Sequence, residues 1–165
     1  MLLTRRLFVS GLLGAWPATA LGKPSGSRSQ PEALPPLPLS MAVAQRADAP
    51  VASQEWLAHQ VAEALRLMSP HGLVVAVTRL RLLAAEHAAL EDAFARDALA
   101  AFVEPKVINV FVVGSLRDVD DPELLRMGVR WRLRRDPSKD YLILASSAMP
   151  TTLAHELGHY LGNGH

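Results

Sequence analysis

The chain has 165 residues, half of them apolar and a fifth charged, which is enough for one domain with its own core and too apolar for wholesale disorder. Its formal net charge of +1 supplies no global basic field to recruit nucleic acid or an anionic membrane. It has no cysteine, which excludes a disulfide framework, a thiolate metal site and a cysteine nucleophile.

The first twenty residues read as an address. Arg5 and Arg6 form a short basic region, and an apolar stretch runs from Leu7 to Trp16. Pro17 ends that stretch, and Ala18-Thr19-Ala20 is an A-x-A cleavage site. The stretch is shorter than the roughly 18 residues of a membrane span, so a cleaved signal over residues 1–20 is expected. Thr4-Arg5-Arg6-Leu7-Phe8-Val9 also resembles the twin-arginine export signal of bacteria. The expectation is therefore an exported protein, periplasmic or extracellular once cut near Ala20. Losing Arg5 and Arg6 leaves 15 basic and 16 acidic residues, a mature net charge of −1.

Residues 21–39 are rich in Pro, Gly and Ser, and Pro31 to Pro38 favours polyproline II, as in a linker. The remaining residues, 40–165, form the expected domain. Ser40 to Gln45 reads as a short strand. A helix starting near Pro50, capped by Asp48 or Ser53, carries Leu57, Val61, Leu65 and Met68 at helical spacing and ends at Ser69-Pro70-His71-Gly72. Leu73 to Leu80 reads as a strand. Leu83, His87, Leu90 and Phe94 then suit one face of a second helix reaching about Phe102, stopped by Pro105.

Lys106 to Val113 has the continuous apolar character of a central strand. A loop over Arg117 to Pro122 follows. Beyond it Val129, Trp131 and Leu133 alternate with Arg130, Arg132 and Arg134, the period of two of a half-exposed strand. Asp136 to Lys139 is a turn, Tyr141 to Ala145 another buried strand, and a last helix begins near Pro150. The fold expected is α+β, a mixed twisted sheet with packed helices and the final helix at the C-terminus.

The chemistry is concentrated in the last eleven residues, His155-Glu156-Leu157-Gly158-His159-Tyr160-Leu161-Gly162-Asn163-Gly164-His165. They fit H-E-x-x-H-x-x-G-x-x-H at every fixed position. On a helix His155 and His159 lie about 40° apart, while Leu153, Leu157, Tyr160 and Leu161 cluster opposite and can pack on a sheet. Gly162 can take the left-handed conformation that ends a helix and turns His165 back towards the other two histidines. Three neutral imidazoles would leave a fourth position on Zn2+ for water. Glu156, between the two helical histidines, is placed to accept that water's proton and pass it to a leaving amine. The alternative is a helix end bearing solvent-exposed histidines.

These eleven residues resemble the zinc-binding signature of the metzincin metallopeptidases, and by letters the matrixin-like group. The resemblance implies zinc ligands His155, His159 and His165, and Glu156 as general base. It also implies hydrolysis of a peptide or protein substrate lying along a cleft-edge strand, for which Val129 to Arg134 or the preceding loop is the expected segment. Residues 40–165 would then be the upper subdomain of a zincin-type catalytic domain. The family's methionine turn after the third histidine has no counterpart, since Met1, Met41, Met68, Met127 and Met149 all lie upstream. The expectation is either a fragment of a longer protein or a chain whose lower subdomain is lost. Three functions follow: a zinc metalloendopeptidase, a zinc- or partner-binding relic without turnover, or a metal-dependent amide hydrolase acting on cell-wall peptide.

The remaining polar clusters read more plainly. His59, His71 and His87 lack ligand spacing. Asp118, Asp120 and Asp121 suit a turn in which Asp121 caps a short helix starting at Pro122 better than a calcium loop, whose glycine and distal glutamate are missing. Arg126, Arg130, Arg132, Arg134, Arg135 and Lys139 suit a solvated strand face guarding a sheet edge, with no nucleic-acid motif beside them.

Overall fold

In chain order the elements are β1 (Leu37–Arg46), β2 (Ala49–Pro50), α1 (Gln54–Met68), β3 (Val75–Leu83), β4 (Ala89–Leu90), α2 (Ala93–Ala98), β5 (Ile108–Val113), β6 (Ser115–Leu116), β7 (Gly128–Arg132), β8 (Asp140–Ala145) and α3 (Thr152–Tyr160). This computed structural model describes residues 35–163. The expected signal, the linker through residue 34, and His165 lie outside those residues. Among the described residues the architecture is α+β, with a mixed sheet and three α-helices.

β1 is longer than Ser40–Gln45 and starts at Leu37, inside the stretch expected to be linker. Its residues Leu39 to Ala44 are all buried. A strand buried on both faces needs cover above and below and a neighbour on each edge. β1 accordingly runs parallel to β3 on one side and to β5 on the other. β2 folds back antiparallel on the end of β1 through Ala47 and Asp48, both at positive φ. β8 lies parallel to β5, and β7 closes that end of the sheet antiparallel to β8.

Alternation along the central strands divides the interior in two. Val110, Val112, Leu142 and Leu144 face α1 and α3, meeting Leu57, Ala64, Leu153 and Leu157. Phe111, Val113, Tyr141 and Ile143 face the other way and meet Leu90, Leu99, Leu116 and Leu133. Ser53 is the cap used by α1; its Oγ accepts from the Trp56 amide at 3.1 Å. Among the described residues no helix is long and apolar enough to cross a membrane.

The second helix expected from Leu83 to Phe102 does not form as one element. β3 continues to Leu83, a 3-10 turn spans Ala85–His87, and Leu90 lies in β4, paired in parallel with β6. Only Ala93–Ala98 is α-helical, capped by Asp92, whose Oδ1 accepts from the Ala95 amide at 2.8 Å. Phe94 is 83% exposed. The apolar spacing fits a helix, but Asp92 restarts the chain as a capped helix, and β4 uses the residues before it to cover the second sheet face.

Candidate active site on the last helix

α3 carries the motif, and both its ends are held by side chains from distant elements. Its N-cap, Thr151, makes no side-chain capping bond. Instead the buried Gln60 of α1 accepts from the Leu153 amide through Oε1 at 3.1 Å, and its Nε2 donates to the Met149 carbonyl at 2.8 Å. One orphan amide of the helix start is thereby satisfied from another helix. At the far end Arg130 of β7 donates from Nη1 to the His159 carbonyl at 2.6 Å. Its other nitrogens grip Asp140 at 3.0 and 2.5 Å, and its guanidinium lies 5.5 Å from the Tyr160 ring centroid. A cation at a helix C-terminus is favoured by the macrodipole. The Asp140 carboxyl is held below its usual range by Arg130 and Arg132, against the opposing effect of burial.

Between these anchors Leu153 and Leu157 are fully buried against the sheet, whereas Leu161, expected on that face, is exposed beyond the helix end. Gly162 has a φ of +106°, the left-handed ending expected of it. His155 is exposed and His159 half-buried. Their Nε2 atoms lie 3.0 Å apart with the rings edge to face, and Nδ1 of His159 lies 2.9 Å from the Asn163 carbonyl. That carbonyl is the kind of partner that fixes a ligating imidazole's tautomer and leaves Nε2 for a metal. Two nitrogens bound tetrahedrally to one zinc at 2.0–2.1 Å would be about 3.3 Å apart, so this pair fits two ligands of one ion. Among the described residues no group of three His, Cys, Asp or Glu is placed to hold a metal, and His165 lies outside them.

Glu156 is only 5% exposed and packs against the start of β7. A Cβ on Gly128 would come within 2.6 Å of Thr152 Cγ2 and 3.0 Å of Glu156 Cγ and Oε1. Glycine at 128 is what lets the edge strand approach the carboxylate this closely. A cavity of about 610 Å³ opens between α3, β7 and the Arg117–Met127 loop, with His155, Glu156 and His159 all on its wall. The larger cavity between α1 and α3, about 850 Å³, has only His155 of these three.

Of the other expected groups, Asp118, Asp120, Arg126 and Arg130 share the wall of this cavity, and each is engaged mainly in shaping it. Asp118 organises the loop: its Oδ1 accepts from the Asp120 amide at 2.7 Å and the Asp121 amide at 3.1 Å, and its Oδ2 pairs with Arg126. These bonds hold its carboxyl down at about 2, the Asp120 amide contributing most. Asp121 in turn accepts from the Glu123 amide at 3.1 Å, but the short helix expected from Pro122 does not form and the chain there is a turn. His59 and His71 are exposed, and His87 is buried edge-on to Phe102. Of the arginines read as a solvated face, Arg130 and Arg132 both close on Asp140. Gln60, Gly128 and Arg96 do not stand out in the sequence as functional. The one available signal is Gln60, a polar residue one turn from both Leu57 and Ala64 on the apolar stripe of α1. No protein-family model and no curated protein matches the chain.

Proposed function

We propose that the chain is a zinc-dependent peptidase of metzincin type, with residues 40–165 as the upper subdomain of its catalytic domain. The observation that carries this reading is the pairing of His155 and His159, Nε2 to Nε2 at 3.0 Å, beside a buried Glu156 and an antiparallel edge strand. His155, His159 and His165 would hold the metal. When bound, zinc supplies Lewis acidity and lowers the pKa of water. Glu156 would accept a proton at its carboxylate and deliver it to the leaving nitrogen. Its burial keeps bulk water from competing for that proton, and Gly128 leaves the space the carboxylate occupies. The outer edge of β7, which pairs with no further strand among the described residues, supports substrate bound as an added strand.

The test uses the whole chain. One zinc per chain should be retained and lost in His155→Ala. Cleavage of a peptide mixture should fall by about 10²–10⁴-fold in Glu156→Ala while zinc stays bound. Turnover that survives Glu156→Ala refutes the assignment. Tight zinc binding without any cleavage favours the relic reading instead.

A further inference from the structure

Three arginines line the cleft, and they are not equivalent. Arg130 is spent on Asp140 and the His159 carbonyl, and Arg126 on Asp118. Arg96 is different. It is 2% exposed, and among the described residues no carboxylate lies within ion-pair distance of it. Its Nη2 donates to the Arg117 carbonyl, its guanidinium lies 4.8 Å from the Trp131 ring centroid, and its buried Nε has no hydrogen-bond partner. Its backbone is held by the Tyr141 hydroxyl, which donates to the Arg96 carbonyl at 2.8 Å. A guanidinium cannot shed its proton to escape burial, and a buried charge without a counter-ion is expensive. The acids on the same wall meet that need only in part: Asp118 and Asp120 favour its charge through space against burial, but Asp118 is committed to Arg126 and two amides, Asp120 is exposed, and Glu156 lies on the α3 side.

The ladder fixes how a ligand would reach Arg96. The Ala145 amide bonds the Met127 carbonyl at 2.8 Å, and the Leu133 amide bonds the Lys139 carbonyl at 3.0 Å. Hydrogen-bonded pairs alternate along an antiparallel ladder, so Val129 and Trp131 direct their backbone to β8. Gly128, Arg130 and Arg132 direct theirs to the outer edge. A peptide added there would send alternate side chains to opposite faces of the sheet. One set meets α3 and its histidines; the other meets Trp131 and Arg96.

We propose that Arg96 is the specificity-determining residue of this cleft, receiving the carboxylate of an aspartate or glutamate on an extended peptide, at a position alternate to those facing α3. The inference rests on reading the cleft as a peptide site.

It is tested by binding, so that it does not depend on turnover. Extended peptides carrying Asp or Asn at each position in turn are titrated against the whole chain bearing Glu156→Gln. At one position in the alternation Asp should bind at least about tenfold more tightly than Asn, and Arg96→Met should bring the two to the same affinity. Arg96→Lys, which keeps the charge and loses the fork, should retain a reduced preference. The preference of the Arg96 chain should persist at about 0.5 M salt, because a buried pair is screened little. Equal binding of the two peptides, a preference that survives Arg96→Met, or one abolished by salt as exposed Arg126 and Arg132 would give, overturns the proposal. Acid-selective binding without cleavage by the unsubstituted chain would defeat the peptidase reading alone. Cleavage without acid selectivity would defeat this proposal alone.

Discussion

Gln60 and Leu153 lie 93 residues apart, yet the Gln60 carboxamide holds an amide in the first turn of the helix that carries His155 and His159. The bond couples α1 to α3 across the apolar layer between them, and it replaces the capping bond Thr151 does not make. Gln60→Leu would fill the same space and leave the Leu153 amide and the Met149 carbonyl without this partner. The expected cost is about 1–3 kcal/mol, which thermal unfolding should register as a drop of about 3–10 °C in Tm. Zinc affinity should fall as well, since the start of the helix would no longer be held.

Gly128 is the point of closest approach between the edge strand and the candidate general base. Gly128→Ala should cost about 1–3 kcal/mol through overpacking and, on the proposed peptidase reading, lower activity by displacing Glu156. Because the nearest clash is with Thr152 Cγ2, at 2.6 Å, adding Thr152→Ser should recover part of the stability. Calorimetry on the two single variants and the double variant checks this. An additive loss would show that the two side chains do not meet.

Sequence patterns reveal the parts of this fold whose periodicity has a single interpretation. The continuous apolar run at Lys106–Val113 becomes the buried β5, and the helical stripe Leu57–Met68 becomes α1. The spacing of His155 and His159 puts their Nε2 atoms together because one helical turn dictates it. The segment Leu83 to Phe94 fits a helical period but folds as a strand end, a 3-10 turn, a two-residue strand and the start of a capped helix. Short elements bury too few side chains for periodicity to discriminate. Gln60, Gly128, Arg130 and Arg96 act on Leu153, Glu156, His159 and Arg117, partners 21 or more residues away, and no local pattern encodes such a partner. Arg130 has the alternation of a solvated strand residue, but α3 crosses the face it occupies.

Arg130 and Asp140 form the support of the second helical histidine from behind. Arg130→Met would remove the donor on the His159 carbonyl and leave Asp140 with Arg132 alone. Groups that orient metal ligands typically contribute 10–100-fold in affinity, so a loss of about that size in zinc affinity is expected in chelator competition. Arg130→Lys should restore only part of it, because one ammonium cannot bridge the carboxylate and the helix carbonyl in the same way. A variant that loses stability but keeps full zinc affinity would make the clamp purely structural.

The loop that walls the cleft opposite α3 should respond to acid through Asp118. Its folded carboxyl titrates near 2 against an ordinary value of 3.8, because two backbone amides and Arg126 favour the charged form. A depressed carboxyl contributes stability that is complete above its unfolded value and declines as pH falls from about 4 towards 2. Unfolding followed across that window should show this decline, and Asp118→Asn should flatten it while lowering stability at neutral pH. The substitution keeps one acceptor oxygen for the Asp120 and Asp121 amides but removes the charge that Arg126 meets. The Arg126 side of the cleft should therefore loosen more than the turn itself. Amide exchange distinguishes the two, with protection lost at Arg126, whose own amide bonds the Leu116 carbonyl at 2.7 Å, before it is lost at Asp120.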